Sequence, residues 1–319
     1  MTLRSTRTSG FTLIEITVAL AVSLIAMFAA VRLYTHAGSA LRSAQAQHSL
    51  TETARLALTA IRRDAELAGY LAFGEPDRIA DTLANSPVTV GNDCGPAWAV
   101  ALDEPVGGDN NGYRWACPAY AHAPVFAADT LVFRYVDTRR AETLEPGRLY
   151  LDSSPGAEPR IFTALRSEVS ANDTLASTNA IHARGYYVSR TSAGSTAAEP
   201  VPALRMKSLS RSSAGPRIVD AEVQPGIEDM QIEFGIDTDA AEGPRSGSVE
   251  RYVSADEIDT TSRVVAIRVW LLVRSAYRER GFAGATLPAY ADRAAKTYHD
   301  GYRRRLTTTT IVIDDARPL

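Results

Sequence analysis

The 319 residues predict an α+β protein in which one long N-terminal helix packs on an antiparallel β-sheet domain. Three observations carry that expectation. No proline occurs between Met1 and Phe73. An apolar run over residues 11–31 passes into a stretch whose apolar side chains recur at helical spacing. From Glu75 onward, turn formers separate short segments in which apolar and polar residues alternate.

The first element is the apolar run. Residues 1–10 are short and polar, carry Arg4 and Arg7, and contain no acid. The 21 residues that follow, 11–31, would span ~31 Å as a helix, close to the ~30 Å hydrocarbon core of a bilayer. Both leading arginines precede the run and only Arg32 follows closely, so the positive-inside rule places the leader in the cytoplasm and the large domain outside the membrane. An ordinary secretory signal, with Ala19-Leu20-Ala21 as its cleavage site, and a plain membrane anchor are the two simpler readings. Neither accounts for Glu15, because a carboxylate inside an apolar run is costly and calls for a partner.

Residues 32–73 continue the helix as its amphipathic half. Ala54, Leu58, Ile61, Ala65 and Ala68 share one face, while Thr53, Arg55, Arg62, Arg63 and Glu66 fall mainly elsewhere. Gly69, Gly74 and Pro76 then arrive together as stop signals, which predicts one helix of roughly 60 residues, or ~90 Å. Periodicity alone also fits an ordinary amphipathic helix of a soluble domain.

Residues 74–319 read as a β-rich domain. Strands are expected around 130–135, 148–152, 186–190 and 203–209. Residues 230–236 alternate strictly, so Met230, Ile232, Phe234 and Ile236 should face a core while Gln231 and Glu233 face outward. Residues 264–273 are apolar apart from Arg268, as in a central strand covered on both faces, and residues 306–314 are rich in Thr, Ile and Val. Surface loops are expected around 94–117, 190–200 and 208–216.

Composition narrows the function classes. Hydrophobic residues at 45% and a formal net charge of -3 are ordinary for a globular chain and give no reason to expect nucleic acid as a partner. Cys94 and Cys117 are too few for a zinc framework but could form one disulfide in an oxidising compartment, contributing ~3 kcal/mol. Two unrelated thiols are the alternative. The five histidines are dispersed without ligand spacing. Asp103, Asp109, Asn110 and Asn111 offer oxygen ligands among glycines, a weak calcium pattern whose spacing is not that of an EF-hand; a turn-rich loop explains it as well. No zinc-protease, nucleophile-elbow, P-loop or dinucleotide motif occurs, so neither an enzyme nor a cofactor is expected.

Gly10-Phe11-Thr12-Leu13-Ile14-Glu15 resembles the type IV prepilin processing site. The resemblance implies that prepilin peptidase cuts after Gly10 and that the new amino terminus of Phe11 is methylated. It also implies that Glu15 pairs with the terminal amine of a neighbouring subunit during assembly. Residues 226–232, 264–269 and 304–310 resemble, in order and spacing, the C-terminal pattern of PilW-type minor pilins. Ile313-Asp314-Asp315-Ala316 departs from that pattern, and residues 76–225 match no pattern. The family implies a non-catalytic subunit of a pilus initiation or tip complex, held in the inner membrane with a periplasmic domain and incorporated into the pilus. Its implied partners are other minor pilins, the major pilin and a large tip-associated adhesin. A type II secretion pseudopilin shares the same leader and helix, and a fibre-presented adhesin or ligand-binding module is the alternative from a different class.

Overall fold

The structure, a computed structural model, describes residues 10–85, 88–168, 175–196, 199–238, 247–259, 262–279 and 281–313. The leader up to Ser9 and residues 314–316 lie outside them. The chain forms two compact units, one ending at His48 and one beginning at Ser49. Helix α1, Leu13–Ala65, is the one element common to both.

Within the first unit, every large apolar side chain from Phe11 to Leu41 is exposed. Within the second, α1 buries Leu50, Ala54, Ala57, Ile61 and Ala65 in a core, with Leu58 packed at its margin. The helix ends at Ala65 rather than running to 73. Leu67 and Ala68 donate to carbonyls only three residues back, and Gly69 takes φ 84°, where its N–H reaches the Arg134 carbonyl at 3.1 Å. A left-handed glycine ends a helix at no steric cost, and here it steers the chain onto the sheet. Pro76 does more than stop a helix. It opens α2, Pro76–Asn85, in the first helical position, where its missing N–H costs nothing.

Among the described residues, thirteen strands follow. They are β1 Val106–Gly107, β2 Leu131–Val136, β3 Leu149–Ser153, β4 Arg160–Thr163, β5 Ser177–Ser189, β6 Ala203–Ser212, β7 Gly215–Pro225, β8 Ile227–Asp237, β9 Arg251–Val253, β10 Arg263–Arg274, β11 Ala285–Leu287, β12 Lys296–Tyr298 and β13 Arg304–Val312. The named strand pairs are antiparallel. They form a seven-stranded sheet ordered β1-β2-β5-β3-β4 with β6 and β7 added beyond β5, a four-stranded sheet ordered β13-β10-β8-β9, and the small pair β11-β12.

Both large sheets meet the second half of α1. Leu131, Phe133, Tyr135, Tyr186 and Val188 from one sheet join Met230, Ile232, Phe234, Ile236, Ile267, Val269 and Leu271 from the other in a single core under the helix. The opposite face of β2 packs Val132 and Val136 into a second core with Ile79, Trp98, Leu102 and the disulfide cysteines. Strand β2 is therefore buried throughout, although residues 130–135 read as an alternating strand.

Two further expectations are corrected. Residues 208–216 are the tip of the β6–β7 hairpin, not a loop: Ser212 pairs with Gly215 across a two-residue turn. Gln231 is only 1% exposed, because its side-chain amide donates to the Ala127 carbonyl at 3.1 Å and to Asp229 Oδ1 at 2.9 Å. A polar residue on the second face of a strand is buried when another segment covers that face, and here the covering segment supplies an acceptor for the amide N–H groups.

Candidate functional site: the head of the long helix and its anchored domain

At the start of α1, Thr12 and Glu15 occupy the two ends of a capping box. The Thr12 N–H and hydroxyl each donate to Glu15 Oε2 at 2.9 Å, and the Glu15 N–H turns toward the Thr12 hydroxyl at 3.4 Å. A Thr-x-x-Glu sequence ahead of an apolar run is the signature of this arrangement, so Glu15 also terminates the helix. Gly10 and Phe11 precede the cap and are exposed.

The helix that follows is long and apolar enough to span a membrane. Its polar side chains are disposed of locally. The Thr17 hydroxyl donates to the Ile14 carbonyl at 2.9 Å and the Ser23 hydroxyl to the Ala19 carbonyl at 2.7 Å, so neither requires water. The Arg32 guanidinium lies 5.2 Å from the Phe28 ring centre, at the polar end of the run.

In the second unit, the last turn of α1 carries a polar anchor that sequence reasoning missed. Asp64 is wholly buried. Its Oδ1 accepts from Arg184 Nη1 at 2.8 Å and from the Tyr135 hydroxyl at 2.9 Å, and its Oδ2 accepts from the Tyr186 hydroxyl. Burial first, and then the charge of Asp64, push both phenols well above their ordinary range. Beside them His182 stacks on Tyr135 at 5.2 Å. Burial, with Arg184 and Arg148 nearby, pulls it down to about 4, so its imidazole is neutral at pH 7.

Cys94 and Cys117 are joined in a disulfide. The segment they close and the residue just after it are seated on the sheet by buried cations: Arg134 Nε donates to the Trp98 carbonyl at 2.6 Å, and Lys207 Nζ to the Pro118 carbonyl at 2.6 Å. Lys207 and Arg205 share Asp220, each at 2.7 Å.

Two of the four residues in the weak calcium pattern, Asp109 and Asn111, are engaged by protein contacts. Asp109 Oδ2 accepts from the Thr130 hydroxyl at 3.1 Å, and the Asn111 side-chain amide donates to Asp292. Asp103 is exposed. A Cβ at Gly108 would stand 2.1 Å from the Thr130 carbonyl oxygen, so the glycine there serves close backbone approach. Among the described residues, no group of three His, Cys, Asp or Glu could hold a metal ion. The loop is instead held by Asp129, whose buried carboxylate accepts from the Asn111 N–H at 2.8 Å and the Ile232 N–H at 2.7 Å.

Residues 185–315 match the family model of type IV pilus-assembly protein W, a stretch that runs from the end of β5 through β13. No curated protein and no solved structure matches the chain.

Proposed function

We propose that this PilW-type protein of type IV pilus assembly works as a minor pilin, a non-catalytic subunit of the complex that initiates or tips the fibre. In this reading, prepilin peptidase removes residues 1–10 and the amine of Phe11 is methylated. The apolar half of α1 holds the subunit in the inner membrane until assembly, with the β-rich domain in the periplasm, and its neighbours are other minor pilins, the major pilin and a tip-associated adhesin. The observation that carries the proposal is one carboxylate, Glu15, at the head of the apolar, exposed first half of α1, in a chain whose C-terminal part is of PilW type. A carboxylate entering lipid stays costly until it meets a cation, so a neighbouring subunit's freed amine would draw the helices together. The pilus-assembly family favours this reading over a type II secretion pseudopilin.

The capping box makes the charge testable apart from the cap. Glutamine at position 15 can still cap the helix but carries no charge, whereas alanine does neither. The expected result is that Glu15→Gln and Glu15→Ala both fold and both fail to enter pili in an otherwise wild-type cell. Normal piliation with Glu15→Gln would contradict charge pairing, and deletion of the gene without loss of surface pili would contradict the pilin role.

A further inference from the structure

Strand β13 ends the four-stranded sheet, and its ladder to β10 runs without a register shift from Ala266↔Val312 to Arg274↔Arg304. The Arg303 carbonyl accepts the Ser275 N–H at 2.9 Å, and the Ile313 N–H donates to Val265 at 2.9 Å. Odd-numbered residues therefore turn their main-chain groups toward β10. Leu306, Thr308, Thr310 and Val312 turn theirs to the far side, where no described strand pairs with them.

The remaining edges of the two large sheets are short or guarded. Strands β1, β4 and β9 have two, four and three residues. The other long edge, β7, carries Pro216 and Pro225, pairs with β6 across a register shift at Leu204/Arg205, and is bridged at Arg217 by Gly91. Proteins blunt long edges with such devices because an open edge templates another strand. In β13 there is neither proline, lysine nor bulge, only arginines, four threonines and aliphatic residues.

Charge indicates what would lie there. On the helix side of this edge, the Arg62 guanidinium donates to the neutral Thr309 hydroxyl at 3.2 Å, and Arg305 is exposed. Among the described residues, neither has a carboxylate partner.

We propose that β13 is a strand-addition surface, on which an extended acidic segment of another pilus subunit takes up the main-chain groups of Leu306, Thr308, Thr310 and Val312 and sets its carboxylates against Arg62 and Arg305. The inference rests on the chain working within a pilus complex. The added strand would lie ~4.8 Å from β13.

The test uses the full-length chain in its own cells, with a photo-crosslinking amino acid at Thr310. The expected adduct joins it to a second pilus subunit, identified by mass spectrometry through an acidic peptide. Thr308→Pro removes an outward N–H and leaves the β10 ladder intact, so it should keep wild-type protease resistance and lower the adduct about tenfold. Arg305→Glu, which touches no ladder bond, should lower the adduct in the same direction and decides the matter if the proline variant does not fold. Wild-type adduct yield in folded Thr308→Pro or in Arg305→Glu, or an adduct only with a second copy of this chain, would overturn the proposal. If Glu15→Gln abolishes piliation while Thr308→Pro does not alter the adduct, the strand-addition idea alone has failed. If deletion of the gene leaves surface pili in place, the pilin reading has failed.

Discussion

The carboxylate of Asp64, wholly buried on the last turn of α1, stands 2.8 Å from the guanidinium of Arg184 on β5. This pair, with Tyr135 and Tyr186, fixes where the helix rests on the sheet. Removing Asp64 takes the carboxylate acceptor from the Tyr135 hydroxyl and the half-buried Arg184 guanidinium, while the Tyr186 hydroxyl keeps the Ala60 carbonyl at 3.1 Å. Asp64→Leu should therefore cost ~3–5 kcal/mol in chemical denaturation, and adding Arg184→Met with Tyr135→Phe and Tyr186→Phe should restore most of it. An Asp64→Leu chain as stable as wild type would remove the anchor from the account.

Gly185 is held by packing rather than by backbone conformation. A Cβ there would stand 2.6 Å from the rings of both Trp98 and Trp115, which meet edge to face at 5.4 Å over β5. Gly185→Ala should destabilise by ~1–3 kcal/mol through overpacking and shift the tryptophan fluorescence. An unchanged spectrum and unfolding midpoint would show that the two rings move aside freely.

Asp129 makes one part of the stability depend on pH. Burial lifts its carboxyl to about 6; the N–H groups of Asn111 and Ile232 oppose that rise, and Asp292 and Asp229 add to it. The folded state therefore holds a proton that the unfolded state has already lost. Stability from this group is fullest below about pH 4 and falls as the pH rises through about 6, by up to ~3 kcal/mol. The stability of Asp129→Asn relative to wild type should thus climb between pH 4 and 6 and then level off. A pH-independent difference in urea midpoints would contradict the burial argument.

Much of this architecture was legible in the sequence, and the gaps have physical reasons. Residues 230–236 and 264–273 lie in the strands β8 and β10, because each has apolar side chains along a face that a core must cover. Asp64 was hidden among Arg62, Arg63 and Glu66, since its partner Arg184 lies 120 positions away and only folding brings the two together. The hairpin tip between β6 and β7 is rich in Ser, Arg, Gly and Pro, so it reads as loop although its main chain is paired. The apolar run and Glu15 stand out in the sequence. Thr12 belongs to the processing motif, and the same Thr-x-x-Glu spacing also sets its side chain against Glu15 as a helix cap.

The pilin role depends on where the working chain begins. Intact-mass and N-terminal peptide spectrometry of the protein from its native membranes should find the first residue to be Phe11, heavier by one methyl group. A chain that begins at Met1 or Thr2, or one cut after Ala21, would contradict it.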